Sequence, residues 1–337
     1  MLNKIISISS GGGFDAVKLI SQELYIELLD NEMLVRINAS SLNYHDYAVV
    51  SGMWGPSEDR IPMSDGAGEV IQVGANVKDF KVGDKVVSTF FPDWENGPVK
   101  HSDFSTTPGD GVDGYAREFV VATTSHFTHA PEGWSSIESA TLTTAALTAW
   151  RALFEDVKLT KDDTVLVQGT GGVSIFALQF AKMIGAKVIA TSSNDQKIER
   201  LKELGADFCI NYKNNPNWGE LALQFTEGKG VDYVIDVGGP DTINQSLIAS
   251  KLNGHIAFIG ILSGLEGKLD MIHLLLKQIK IQGVLVGSRQ QQINMINAIN
   301  QYKMKPVVDK VFPLEQIVDA FKYQESNQHF GKICLEI

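Results

Sequence analysis

The chain has 337 residues, 44% of them hydrophobic and 20% charged, which suits a soluble globular protein of two domains rather than a disordered or fibrous one. A formal net charge of −11 argues against a nucleic-acid surface or a patch for anionic membranes, and no window reaches the uninterrupted apolar length of a membrane span; residues 139–154 come nearest and are broken by threonines and Arg151. Residues 1–10 do not read as a signal peptide, and the only two cysteines, Cys209 and Cys334, sit in apolar runs as small buried strand residues, so a reducing, cytoplasmic setting is expected.

In chain order, residues 34–39 and 68–73 alternate in polarity, and 85–90 is apolar between the turn signals Gly83-Asp84 and Pro92-Asp93. These predict short strands of a compact β-rich module. The polar segment 93–114, rich in Pro, Gly, Asp and Ser, predicts a long surface loop near a functional cleft. From 135 to 157 the pattern turns helical, with Ala140, Ala145, Ala146 and Ala149 small enough for close packing. Strands then alternate with helices: strands over 164–168, 187–191, 207–211, 231–236 and 254–260, helices over 173–184, 195–204, 217–227 and 241–251. That alternation means an α/β fold with a parallel, doubly wound sheet. Residues 279–286 read as a sixth strand, 290–301 and 314–324 as helices, and 332–337 as a last strand. The tail is too small to stand alone and is expected to fold back on the β-rich module. One domain is therefore expected over 1–128 with 302–337, and the other over 129–301. The apolar 279–286 strand would lie at the sheet edge, and pairing with a second copy there predicts a homodimer.

The stretch 165–212 carries the chemistry. Val165–Val167 is apolar and β-favouring, and Gly169-Thr170-Gly171-Gly172-Val173-Ser174 follows. Gly169 permits a tight turn, Gly171 lets the backbone approach a pyrophosphate, and the next helix directs its positive end at the phosphates. Ser174 stands at the third glycine of G-x-G-x-x-G and is still small. This is the layout of a dinucleotide-binding strand–turn–helix–strand. At the tip of the second strand, where an NAD site usually carries Asp or Glu, stands Ser192. A carboxylate there would repel a 2'-phosphate, whereas a hydroxyl donates to it. With Lys197 and Arg200 in the next helix, the charge argument favours NADPH over NADH. Ser193 with Gln196 also has capping-box spacing, and the same hydroxyl can serve either use. Asp195 falls past the tip, in the helix's first turn, where Asp suits the dipole.

Further segments are Leu42-Asn43-Tyr44-His45-Asp46, Pro62 through Val70, Val73-Gly74 with Phe80 through Val86, Leu147-Thr148-Ala149-Trp150, Leu204 through Asp207, Asn211-Tyr212 and Phe330-Gly331-Lys332. With the glycine turn, these resemble the medium-chain dehydrogenase/reductase superfamily over nearly the whole chain. Within it the resemblance is to the zinc-type alcohol dehydrogenase-like and quinone reductase-like branch. It implies a Rossmann domain beside a β-rich, GroES-like catalytic domain. A zinc-dependent member would carry Cys near Asn43 and a His-Glu pair where Ser64-Asp65 stands, and a structural zinc lobe would place four cysteines in 85–115. None of these is present; zinc held by His45, Asp65 or His101 is the alternative, but the first two match no ligand position as a set, so no metal is expected.

Without zinc, alcohol oxidation loses its electrophile. Hydride addition to a conjugated acceptor delocalises charge onto an oxygen that a few donors can stabilise. The resemblance therefore implies an NADPH-dependent, zinc-independent reductase of a quinone, an enone or a related activated carbonyl. Two alternatives stay open: an NADPH-binding protein without significant turnover, and an alcohol dehydrogenase with an unrecognised metal.

The resemblance also implies roles. Asn43 lies where the cleft meets the nicotinamide, donating to substrate oxygen or fixing its own loop. Tyr44 and Tyr47 offer hydroxyls or pack in the core. His45 is expected as a solvent-facing or loop residue, Trp54 as a pocket wall or a packing residue, and Asp65 as a holder of backbone or of Asn43. Thr148 lies against the nicotinamide–phosphate end. Gly171, Gly172 and Val173 cradle the pyrophosphate, and Ser192, Ser193, Lys197 and Tyr212 surround the 2'-phosphate. Gly260, Ile261, Leu285 and Val286 line the nicotinamide side, and Lys332 either reaches back toward the cofactor or is a surface lysine that starts the last strand.

Overall fold

A computed structural model describes residues 2–100 and 103–337, which divide into two units: the chain up to Leu147 together with Val286–Ile337, and Thr148–Leu285. In the first unit, β1 (Leu2–Ile8) and β2 (Val17–Glu23) form an antiparallel hairpin. There follow β3 (Glu32–Ser41), helix α1 (Tyr44–Val50), β4 (Ala67–Val73), β5 (Lys85–Ser88), β6 (Phe119–Thr123) and β7 (Phe127–His129). Met33, Val35 and Ile37 alternate inward along β3 and meet Val70, Val86 and Val120 in one core cluster. The polar stretch 93–114 contains no named strand or helix among its described residues; residues 101 and 102 lie outside them.

Helix α2 (Ser136–Ala140) starts with a capping box between Ser135 and Glu138. Two π-helical turns, Leu142–Ala146 and Arg151–Glu155, flank α3 (Leu147–Trp150), and the boundary between the units falls inside this helical segment.

The second unit alternates β8 (Thr164–Gln168), α4 (Gly172–Met183), β9 (Lys187–Ser192), α5 (Asp195–Glu203), β10 (Phe208–Asn211), α6 (Trp218–Phe225), β11 (Val231–Asp236), α7 (Ile243–Ala249), β12 (Ser250–Phe258), α8 (Met271–Leu276) and β13 (Lys280–Gly283). The sheet order is β10-β9-β8-β11-β12-β13, and every pairing is parallel. This is the doubly wound arrangement expected, with the strand order reversing between β8 and β11, where such sheets bind ligands at their carboxyl ends. β8, covered on both faces, is buried at every position. The expected edge strand over 279–286 shortens to β13, and α8 had no counterpart in the sequence reading.

The chain then returns to the first unit through α9 (Arg289–Tyr302), β14 (Val308–Pro313), α10 (Ile317–Glu325) and β15 (Lys332–Glu336). Its large sheet runs β14-β15-β3-β4-β5-β7, with β6 also paired to β3. Contacts draw the division between the units closer to the sheet than 128 and 302, and α9 shows why. Gln292 on α9 donates to Ser88 O at 2.9 Å and to Thr128 Oγ1 at 2.7 Å, and Arg289 donates to Phe127 O at 3.0 Å. Among the described residues no helix is long and apolar enough to cross a membrane.

Candidate active site

Strand register brings distant segments of the first unit together. β15 runs antiparallel to β3 with Cys334 opposite Ser41, and Leu42 N–H donates to Ile333 O at 3.0 Å, so Lys332 arrives beside Asn43. β3 pairs with β4, Ala39 opposite Ala67, which sets Ser41 against Asp65. The Lys332 ammonium, on a residue 2% exposed, donates to Leu42 O at 2.7 Å and to Asn43 Oδ1 at 2.6 Å, and lies 3.5 Å from Asp65 Oδ2. Asp65 accepts from Ser41 Oγ and, on its other oxygen, from Thr144 Oγ1, both at 2.6 Å. Thr144 comes from the π-helical turn, whose Thr143 donates to Ser88 O at 2.9 Å.

Asn43 caps α1. Its backbone N–H and its Nδ2 each donate to Asp46 Oδ2 at 3.0 Å, and Nδ2 makes a longer contact of 3.4 Å to Ser41 O. Asp46 Oδ1 accepts from Ser64 N–H at 2.8 Å and from Ser64 Oγ at 2.9 Å. Burial, and then the Asp65 carboxylate, push the Asp46 carboxyl above its ordinary value of 3.8. The four donors around it, the Asn43 and Ser64 backbone and side-chain groups, work against that rise. The cluster is thus two buried carboxylates and one ammonium, each satisfied by hydrogen bonds.

These residues do not fit a zinc ion. An amide, a hydroxyl and a carboxylate stand where thiolate and imidazole ligands would be needed, and the ammonium already neutralises Asp65. Among the described residues, no three of His, Cys, Asp and Glu are grouped to hold a metal; His101, the third candidate of the sequence, lies outside them.

His45 departs from the solvent-facing or loop position expected of it. It lies on α1, its side chain is 10% exposed, and its Nε2 is 2.9 Å from Asp110 Oδ2. Its ring centroid is 4.4 Å from that of Phe104, 5.6 Å from Phe90 and 6.5 Å from Trp54. Tyr44 packs edge-on to Trp54 and its hydroxyl donates to Met53 Sδ at 3.7 Å, while the Tyr47 hydroxyl donates to Glu325 at 3.0 Å.

In the second unit the β8–α4 turn has the features a pyrophosphate requires. Gly169 has φ +74°, which glycine alone adopts without strain. A Cβ on Gly171 would meet nothing within 4 Å, so open space lies over the N-terminal turn of α4, where Gly172 and Val173 begin the helix. Ser174 Oγ donates to Gln168 O at 2.6 Å and ties helix to strand. Ser192 ends β9, and Tyr212 N–H donates to its carbonyl at 3.0 Å, placing that half-exposed tyrosine next to it.

The cap of α5 is Asn194, whose Oδ1 accepts from Gln196 N–H at 2.8 Å and Lys197 N–H at 3.2 Å. The Ser193–Gln196 capping box does not form, because Asn194 holds the capping position and leaves Ser193 outside the helix. Asp195 Oδ1 accepts from Asn211 Nδ2 at 2.6 Å. A Cβ on Gly260 would fall 2.0 Å from Val237 O, so only glycine fits where the chain leaves β12 toward Ile261. Thr148 is buried in α3. Val286, with φ +47°, and Lys332 belong to the first unit.

Ser41, Thr144 and Asp110 were not singled out by the sequence, and Asp46 and Ser64 entered only as parts of motifs, with no role given to either. Only Asp46 left a local signal, the Asn43-x-x-Asp46 spacing of a capped helix.

The glycine turn on a doubly wound sheet, with a β-rich unit holding a buried polar cluster, defines a two-domain dehydrogenase or reductase. Family models agree: one described as zinc-binding dehydrogenase matches residues 172–301, and one described as alcohol dehydrogenase GroES-like domain matches residues 29–132. The chain is 40% identical over 337 residues, 96% of each protein, to a zinc-type alcohol dehydrogenase-like protein of Schizosaccharomyces pombe. It is 31% identical over 320 residues to a chloroplast envelope quinone oxidoreductase homolog of Arabidopsis thaliana, covering 91% of this chain and 90% of that one. A crystal structure of an NAD-dependent alcohol dehydrogenase superposes with a TM-score of 0.88 at 30% identity, covering 99% of each chain. The chain belongs to the medium-chain dehydrogenase/reductase superfamily. It is an oxidoreductase of the alcohol dehydrogenase-like kind, in a family that works with a nicotinamide cofactor.

Proposed function

We propose that the protein is a zinc-independent, NADPH-dependent reductase that delivers hydride to a quinone, an enone or a related activated carbonyl. The observation that carries this reading is the buried Lys332 ammonium, held by Asn43 Oδ1 at 2.6 Å beside Asp65 at 3.5 Å. A resident ammonium with no grouped thiolate or imidazole ligands among the described residues suits a reaction that needs no Lewis acid, which an unactivated alcohol would require. A conjugated acceptor needs none, because the charge of hydride addition spreads to an oxygen that hydrogen bonds can stabilise. NADPH, when bound, supplies the hydride.

The chain's own residues bind and orient. Gly169, Gly171, Gly172 and Val173 take the pyrophosphate. Ser192, Ser193, Lys197 and Tyr212 take the 2'-phosphate. Thr148, Gly260, Ile261 and Val286 border the nicotinamide. Asn43 and Tyr44 face the acceptor, and Asp65 and Lys332 hold Asn43 in place. Lys332 thus acts through Asn43, whose Oδ1 it holds at 2.6 Å. The test is the initial rate of NADPH and of NADH oxidation with a panel of quinones and enones. Turnover with NADPH favoured is expected; no turnover with any acceptor, or a clear NADH preference, overturns the reading or its cofactor.

The proposed partner is a second copy of the chain, joined through the 279–286 edge in a cytoplasmic homodimer. β13 pairs with β12 alone among the described residues. Close before it in the chain, α8 leaves Met271, Ile272, Leu275 and Leu276 62–71% exposed, more apolar surface than one short helix keeps without a partner. Light scattering that finds a monodisperse monomer counts against the dimer.

A further inference from the structure

We infer that His45, oriented by Asp110, donates the proton that completes reduction of the acceptor, from within a set of aromatic rings suited to a planar conjugated substrate. The inference rests on the reductase reading and names the residue that reading lacks.

Hydride addition to an enone leaves an oxyanion that needs a proton. The other polar hydrogens of the cluster are committed. Lys332 donates to Leu42 O and Asn43 Oδ1 beside Asp65, Asn43 and Ser64 donate to Asp46, and Ser41 and Thr144 donate to Asp65. His45 is different. Its Nδ1 is buried and has no hydrogen-bond partner among the described residues. A buried polar atom without a partner is uncommon in a native fold, and a bound reactant supplies what is missing.

The Asp110 contact at 2.9 Å fixes the proton on Nε2 in the neutral ring and so makes Nδ1 the atom that gains and gives one. Asp110, and Asp46 on the same helix as His45, are the carboxylates near the ring. Phe104, Phe90 and Trp54 have ring centroids 4.4, 5.6 and 6.5 Å from that of His45; Phe90 is buried behind the ring, which leaves Phe104 and Trp54 as the aromatic surfaces for a planar acceptor.

The step balances as follows. Hydride leaves the reduced nicotinamide and forms a C–H bond at the β-carbon, and the C=C pair moves to give the enolate. The Nδ1–H bond of the imidazolium then breaks, its electron pair stays on nitrogen, and the proton bonds the enolate oxygen. The enol tautomerises to the saturated carbonyl, and His45 regains a proton from solvent once the product leaves. The acceptor gains two electrons and two hydrogens; NADPH becomes NADP⁺.

The test uses the full chain with NADPH and a simple cyclic enone, comparing wild type, His45→Gln and Asp110→Asn. The wild-type kcat should fall as pH rises, because only the protonated ring can give a proton. His45→Gln should lower kcat by about 10²- to 10⁴-fold and remove that limb, with NADPH affinity unchanged. Asp110→Asn, which removes a positioning carboxylate, should alter that pH profile with a smaller loss of kcat. A His45→Gln protein with wild-type kcat and the same limb overturns the inference and leaves the reductase standing. A wild type with no turnover on any acceptor overturns both. Should His45→Gln fail to fold, an Asp110→Asn profile that matches wild type overturns the assignment by itself.

Discussion

Between Val165 and Ser192 the second unit assembles its phosphate turn from one continuous stretch, with a positive-φ glycine, open space over Gly171 and the start of α4. The first unit gathers Asn43, Asp65, Thr144 and Lys332 from separate elements, Lys332 lying 289 residues from Asn43. The turn works through backbone N–H groups and the absence of side chains. The cluster works through side chains that satisfy one another. Damage should therefore read out differently: as weaker cofactor binding in the turn, and as lost stability first in the cluster.

The largest effect is expected at Lys332, where both partners are buried, with side chains 2% and 0% exposed. Lys332→Met strands the Asp65 carboxylate without its cation and should cost about 3–5 kcal/mol in urea unfolding. The double variant with Asp65→Asn should recover part of that, because the stranded charge is gone. A Lys332→Met protein with an unchanged midpoint would erase the contrast between the regions.

An intermediate effect is expected beside the turn. Ser193→Asp sets a carboxylate next to Ser192, just outside the cap of α5. It should lower kcat/KM for NADPH by about 10- to 100-fold, about 1.4–2.8 kcal/mol, with NADH far less affected. Equal losses for the two coenzymes would mean that no 2'-phosphate is read there.

The smallest effect lies outside both regions, at the α2 cap. Burial works to raise the Glu138 carboxyl, but the Ser135 N–H and the Lys305 ammonium bring it below its ordinary value of 4.5. A carboxyl lowered in the folded state contributes stability above its unfolded value and loses it as pH falls through the folded one. Thermal midpoints should drop below pH 4.5, and Glu138→Gln should flatten that drop while changing little else. An unaltered acid limb in the variant would contradict the assignment.

The contrast also explains what the sequence made legible. In the second unit periodicity is local, so the strands over 164–168 and 231–236 agree with β8 and β11 to the residue, and α4 starts one residue earlier than expected. Local reading slips where two adjacent residues share a chemistry: Asn194 caps α5 although Ser193 has the right spacing. Asn43 and Asp65 could each be nominated alone, since the resemblance marks them. Lys332 could be nominated too, but not as their common partner, because that depends on the register of β15 against β3. The same limit hid His45. Its partner Asp110 lies in a stretch without regular structure, and α1, at seven residues, is too short to show a helical period.

The central claim is that an ammonium, and no metal, is the cation at the reacting end. The most direct test is NADPH oxidation with a quinone acceptor by protein treated exhaustively with a chelator, then measured with and without added zinc. Full activity after chelation, unchanged by zinc, is the predicted result. Activity that disappears with the chelator and returns with the metal would contradict the account.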